Sequence, residues 1–143
     1  MGRAAALPDV LPELRDYLLR YPDATLASAD TFFYWENVSF GLKPTIRLNH
    51  GIVYHTSRDG RDIDVVAIKQ LYASHYLHTA LDVSVCVADS AASPHGFYLL
   101  TLKSSEQDGL TGVRGSVLRK IVANKSRASL EAGLMSIKRA LEE

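Results

Sequence analysis

The spacing of hydrophobic residues changes period twice along this chain. From Val10 to Tyr21, apolar side chains return at steps of three and four: Val10, Leu11, Leu14, Leu18, Tyr21. That spacing predicts a short amphipathic helix, with Pro12 tolerable only in its first turn and Pro22 as its stop. The period then falls to two. "TFFYWENVSF" is aromatic-rich, lacks Gly and Pro, and reads as a strand broken by Gly41 and Pro44. "TIRLNHGIVYH" puts Ile46, Leu48, His50, Ile52 and Tyr54 on one face, and Arg47, Asn49 and Val53 on the other. Asp59-Gly60 is a strong hairpin signal. "IDVVAIKQLYASHYLH" reads as one long returning strand, and "ALDVSVCVAD" alternates Leu81, Val83, Val85 and Val87 against Asp82, Ser84 and Cys86. "SAASPHG" is a polar turn before a further strand, "FYLLTLKSS".

The helical period returns from Val113 to Glu142. Val117 or Leu118, Ile121, Val122, Leu130, Leu134, Ile137 and Leu141 form one stripe. Arg119, Lys120, Lys125, Arg127, Lys138 and Arg139 fall largely off it, and Gly133 lies within it as a point of close approach or a bend. A helix, about five antiparallel strands and a long helix predict an α+β fold. The long C-terminal helix is expected to pack across one face of a curved sheet. Burying ~8 large side chains at about 1.5–3 kcal/mol each makes that helix essential to the fold. Nothing marks an internal boundary, so residues 1–143 read as a single domain.

Composition narrows the class. The 143 residues are 47% hydrophobic and 22% charged, with sixteen basic residues against sixteen acidic ones. That balance fits a soluble globular protein and argues against a surface devoted to nucleic acid. One cysteine, Cys86, excludes an internal disulfide and fits a reducing compartment. The start has no unbroken apolar core of a secretory signal, and Ala6 stands where a myristoylation motif wants Ser or Thr. No run approaches the ~18 apolar residues of a membrane span, so a cytoplasmic location is expected.

The chemistry-bearing stretch is "LYASHYLHTALDVSVCV", Leu71 to Val87. On one continuous strand, Gln70, Tyr72, Ser74, Tyr76 and His78 would share a face, with Leu71, Ala73, His75 and Leu77 opposite. If the tyrosine face points inward, Tyr72, Ser74 and Tyr76 supply a polar ladder that orients an apolar ligand. If the other face does, His75 is the lone polar anchor or acid/base. An ordinary solvent-facing strand is the blander alternative. In "FFYW", Phe33 and Trp35 share one face and Phe32 and Tyr34 the other, as a ligand wall or as packing. His75 and His78 lie on opposite strand faces, and His50 and His55 also differ in parity, so no metal site is expected. Ser74 lacks a nucleophile elbow, and Cys86 among valines reads as inert. "GLTGVRGS", Gly109 to Ser116, lacks the lysine of a phosphate loop and reads as a connection into the helix. From Gly109 to Leu130 the charges are all basic: Arg114, Arg119, Lys120, Lys125 and Arg127. This run is either a solvated helix face or a peripheral contact with an anionic membrane.

Three segments carry a family resemblance: "YWENVSFGLKP" (Tyr34 to Pro44), "KQLYASHYLHTALDVSV" (Lys69 to Val85) and "RASLEAGLMSIKRALEE". They resemble an uncharacterised bacterial family associated with the START-like (SRPBCC, helix-grip) superfamily, which includes lipid-transfer domains, polyketide cyclases and the birch pollen allergen. The resemblance covers Thr31 to Glu143 and brings no catalytic residues and no cofactor. A complete helix-grip domain opens with a strand and a helix pair, whereas thirty residues precede Thr31 here. The chain is then an abbreviated grip or a fragment, and a homodimer, another partner or a smaller cavity is expected.

The resemblance implies non-catalytic binding of a hydrophobic or lipid-like molecule in a groove between sheet and C-terminal helix. Tyr72, Ser74, Tyr76, His75 and Trp35 are the expected ligand contacts. The alternatives are a cyclase- or hydrolase-type enzyme using His75 or Tyr72, and a structural or dimerisation module.

Overall fold

The structure, a computed structural model, describes residues 11–39, 43–89, 96–107 and 112–142. The chain divides into two compact units, Met1–Glu106 and Gln107–Glu143, and each is described by itself.

The first unit opens with helix α1, Pro12–Arg20. Pro12 occupies the first turn, where its missing N–H costs nothing, and Asp16 and Arg20 pair one turn apart on the exposed side. Five strands follow: β1 (Ala29–Ser39), β2 (Pro44–Arg58), β3 (Arg61–Ala73), β4 (Leu77–Asp89) and β5 (Gly96–Gln107). They form one open antiparallel sheet in sequence order. The expected α+β class, with its five strands, short first helix and long last helix, is the observed one.

The predicted Asp59-Gly60 hairpin is present. Arg58 faces Arg61, and Asp59 and Gly60 have φ of 54° and 73°. Positive φ at both central residues matches the twist of the flanking strands. The turn expected over "SAASPHG" lies mostly outside the described residues.

The long strand expected from Ile63 to His78 is instead two strands joined by a turn at Ser74, His75 and Tyr76. Ser74 grips the neighbouring strand: its N–H donates to the Ile46 carbonyl (3.0 Å) and its hydroxyl accepts from the Ile46 N–H (3.1 Å). Tyr76 takes φ of 64°, and the Leu77 N–H donates to the His75 carbonyl at 2.7 Å. The register also slips: Leu48 faces Tyr72 but Asn49 faces Gln70, which leaves Leu71 as a bulge residue. One extra residue inverts the parity beyond it. Tyr72 therefore joins the face of Leu48 and His50, and the predicted Tyr72–Ser74–Tyr76 ladder does not form.

The core lies between α1 and one sheet face. Leu11, Leu14, Tyr17 and Leu18 meet Ile52 and Tyr54 of β2, Ile63, Val65 and Ala67 of β3, and Leu81 and Val83 of β4. Each such aliphatic side chain contributes about 1.5–3 kcal/mol. The opposite face has a close approach of its own. At Gly51, a Cβ would stand 2.3 Å from the Phe32 ring, so the aromatic lies flat over bare backbone.

The second unit is helix α2, Gly112–Glu142. Gly112 to Ser116 is already helical, so the predicted glycine-rich connection is shorter than expected. Among its described side chains, Leu130 and Leu134 are half-buried, whereas Ile137 and Leu141 are exposed. Among the described residues, nothing lies within 4 Å of a Cβ placed on Gly133, so no close approach requires it. The side chains of Arg114, Arg119, Lys120 and Lys125 lie outside the described set. No helix among the described residues is long and apolar enough to cross a membrane.

Candidate functional site

Strand register brings together side chains that are remote in sequence. Phe33, His50, Lys69 and Leu81 form one row across β1, β2, β3 and β4; Trp35, Leu48 and Tyr72 form the next. Both rows lie on the face that carries α1. Here the surface turns aromatic: Phe33 is 55% exposed, Trp35 63% and Tyr72 52%. The Trp35 and Tyr72 rings meet edge-on, 6.4 Å apart and 69° between planes, over the half-buried Leu48. The Phe33 ring stacks on the His50 imidazole at 4.8 Å and 17°.

His50 forms the floor. It is 1% exposed, with Tyr21 at 4.4 Å and Tyr17 at 6.1 Å between ring centres. Among the described residues neither ring nitrogen has a hydrogen-bond partner. Burial, and then the Lys69 charge, push its pKa below the ordinary histidine value, so the ring is held neutral. Lys69 ties this floor to α1. Its ammonium donates to the Leu18 carbonyl at 2.9 Å and lies 5.1 Å over the Tyr21 ring. Both contacts suit a cation at a helix C-terminus and over an aromatic face. Burial lowers the Lys69 pKa and raises that of the Tyr17 phenol.

The other face carries a polar cluster that braces β1. Arg47 Nη2 pairs with Glu36 Oε1 at 2.8 Å, and the Asn49 amide donates to the same oxygen at 2.5 Å. Asn49 is fully buried, and burial, followed by the Glu36 charge, raises the Tyr34 phenol beside it. Gln70 Nε2 donates to the Leu77 carbonyl at 3.4 Å. Glu36 takes up Arg47 Nη2 and the Asn49 amide, while Arg47 Nε and Gln70 Oε1 are buried without a partner among the described residues. The exposed rings lie on the first face, at its aromatic end.

Of the five expected contacts, Trp35 and Tyr72 come together. Ser74 is engaged with the Ile46 backbone, His75 is exposed, and Tyr76 stands 5.8 Å from the His75 ring in the turn. His50 and Lys69 were not singled out as ligand or catalytic groups by sequence reasoning. The usable signal for them was a His and a Lys at core-facing positions of alternating strands. A second row, His55, Asp64 and Cys86, looks catalytic on paper. His55 Nδ1 lies 2.6 Å from Asp64 Oδ1, but the carboxylate stands between imidazole and thiol. Burial first, and then Asp64, hold the thiol pKa up, which disfavours a thiolate. Among the described residues no group of three or more His, Cys, Asp or Glu could hold a metal ion.

No family model, curated protein or solved structure matches this chain.

Proposed function

We propose that the protein binds a hydrophobic small molecule, without transforming it, on the platform of Phe33, Trp35 and Tyr72. The observation that carries this reading is three large rings more than half exposed on one sheet face, Phe33 and Trp35 on β1 and Tyr72 on β3, the strands that flank β2. Aromatic rings recover free energy when covered, and offset or edge contacts add roughly 0.5–1.5 kcal/mol per pair. The platform has a stiff base, since Phe33 rests on buried His50 and Trp35 on Tyr72. A preorganised surface loses less freedom on binding than a flexible one. The ligand class agrees with the one that the START-like resemblance implies. Binding without chemistry is favoured because the buried His50 imidazole is shielded behind Phe33 and the exposed His75 lies in a turn.

Native mass spectrometry of the purified protein tests this. An apolar adduct that Tyr72→Ala abolishes supports the reading. Adducts that Tyr72→Ala and Trp35→Ala leave unchanged place binding elsewhere and defeat it.

A further inference from the structure

Strand β1, eleven residues long, stands first in the sheet order, so among the described residues no strand pairs with its outer edge. Which of its backbone groups point outward follows from one hydrogen bond. The His55 N–H donates to the Ser28 carbonyl at 3.2 Å, so Ser28 and His55 are a hydrogen-bonded antiparallel pair. Such pairs alternate along a ladder. Asp30, Phe32, Tyr34, Glu36 and Val38 therefore turn their backbone groups toward β2, through partners Val53, Gly51, Asn49, Arg47 and Thr45. Ala29, Thr31, Phe33, Trp35, Asn37 and Ser39 turn theirs outward.

Edge strands are usually guarded by lysine, proline, a bulge or brevity. β1 has none of these: its register with β2 runs unbroken from Ala29 to Ser39, and it contains neither Lys nor Pro. Its two acids, Asp30 and Glu36, are the only charges, and Glu36 is neutralised by Arg47. The opposite edge strand differs, since β5 carries Lys103, paired with Asp82 at 2.8 Å.

We propose that β1 pairs antiparallel with β1 of a second copy, about a two-fold axis at Tyr34, to give a continuous sheet through two protomers. The occupant and the register follow from the strand itself. Outward residues must face outward residues, so the register can shift only in steps of two. Centring on Phe33 would set Asp30 against Glu36, a like-charge pair that costs stability. Centring on Tyr34 overlaps the whole of Ala29–Ser39. It sets Asp30 against Val38 and Glu36 against Phe32, and brings Phe33 beside Trp35 twice. Cross-strand aromatic pairs of this kind stabilise an antiparallel ladder. The formal net charge of zero removes long-range repulsion between copies. The inference does not require a ligand, because the backbone groups of the β1 edge carry it, although Phe33 and Trp35 also belong to the binding platform.

The test is sedimentation velocity over a wide concentration range, on wild type, Thr31→Pro and Asn37→Pro. Each proline removes one outward N–H and leaves the ladder to β2 intact. Wild type should pass from monomer to dimer as concentration rises, and both variants should stay monomeric with unchanged circular dichroism. If one variant unfolds, the other decides. In a Cys86→Ser background, Thr31→Cys mixed with Asn37→Cys should give a covalent heterodimer, because these positions face each other. A monomer at every concentration overturns the proposal, as does dimerisation that both folded proline variants retain. Association only with a foreign extended peptide overturns the choice of occupant.

Discussion

The Phe33 ring lies nearly parallel over the buried His50 imidazole, 4.8 Å away. An exposed edge-strand aromatic thus covers a fully buried imidazole, and β1 and the α1 contact are coupled through a single stack. The two residues are a directly opposed pair, the non-hydrogen-bonded type in which side chains approach most closely.

His50 makes stability depend on pH in a definite direction. Its folded pKa is depressed below 6.5, by burial and then by Lys69. The unfolded chain therefore binds a proton at higher pH than the folded one. The His50 contribution is fully present above about 6.5 and is lost as pH falls through the window below it, levelling off once the folded pKa is passed. The charged or titratable groups packed against it are Lys69 on β3, Tyr17 on α1 and Tyr21 just past the end of α1. Denaturation midpoints across pH should show this slope in wild type and lose it in His50→Phe, which keeps the aromatic stack. Equal slopes in both proteins would place the pH dependence elsewhere.

Lys69→Met removes a cation facing the imidazole while keeping the aliphatic stem. The His50 pKa should rise toward its ordinary value, read from the imidazole proton shifts in an NMR titration. α1 should also loosen, because the Leu18 carbonyl loses its donor. The expected cost is about 1–3 kcal/mol, typical of a lost hydrogen bond to a charged group. An unchanged His50 titration would contradict the link between the two.

Gly51 is required by its neighbour rather than by its own backbone. Gly51→Ala would put a methyl carbon 2.3–2.7 Å from three Phe32 ring atoms. The ring must swing off the strand, at a cost of about 1–3 kcal/mol for overpacking. Phe32→Ala should relieve that clash, so the double variant should be less destabilised than the sum of the singles. Additive losses in chemical denaturation would refute the contact.

The Asp59-Gly60 hairpin should be sensitive at the glycine. Gly60 has φ of 73° with open space around it, so Gly60→Ala tests backbone conformation alone. A loss of about 1 kcal/mol is expected, the usual penalty for an L-residue in the left-handed region. Gly60→Asn should recover part of it, since Asn tolerates that region. Identical stability of all three would show that the turn adjusts freely.

The sequence carried the architecture well wherever the two-residue period was undisturbed. β2 keeps strict alternation, so Leu48, His50, Ile52 and Tyr54 were placed on one face correctly, as were Leu81, Val83, Val85 and Val87 on β4. The hairpin at Asp59 was legible because its chemistry is local. The stretch from Lys69 to His78 was not. A bulge at Leu71 leaves no mark in composition, and the turn at Tyr76 uses a positive φ that a bulky residue rarely adopts. With neither Gly nor Pro to signal a break, alternation was carried through the turn at Ser74, His75 and Tyr76 into the first residues of β4. Trp35 and Tyr72 were read as candidates, but their meeting depends on that same bulge. His50 was read as one alternating position among several, and only the packing of Tyr17, Tyr21 and Phe33 shows that it is enclosed.

Trp35 is the single tryptophan, so at a fixed protein concentration its fluorescence reports on what reaches the platform. The most direct measurement is an emission titration of the intact protein with an apolar ligand series, from fatty acids to flat aromatics. A half-exposed ring should emit at the long-wavelength end when free. It should shift to shorter wavelength and saturate with at least one ligand, and Tyr72→Ala should weaken that response by about tenfold or more, equivalent to about 1.4 kcal/mol of lost contact. Emission that does not move with any member of the series, or a shift that Tyr72→Ala leaves intact, would contradict the binding platform.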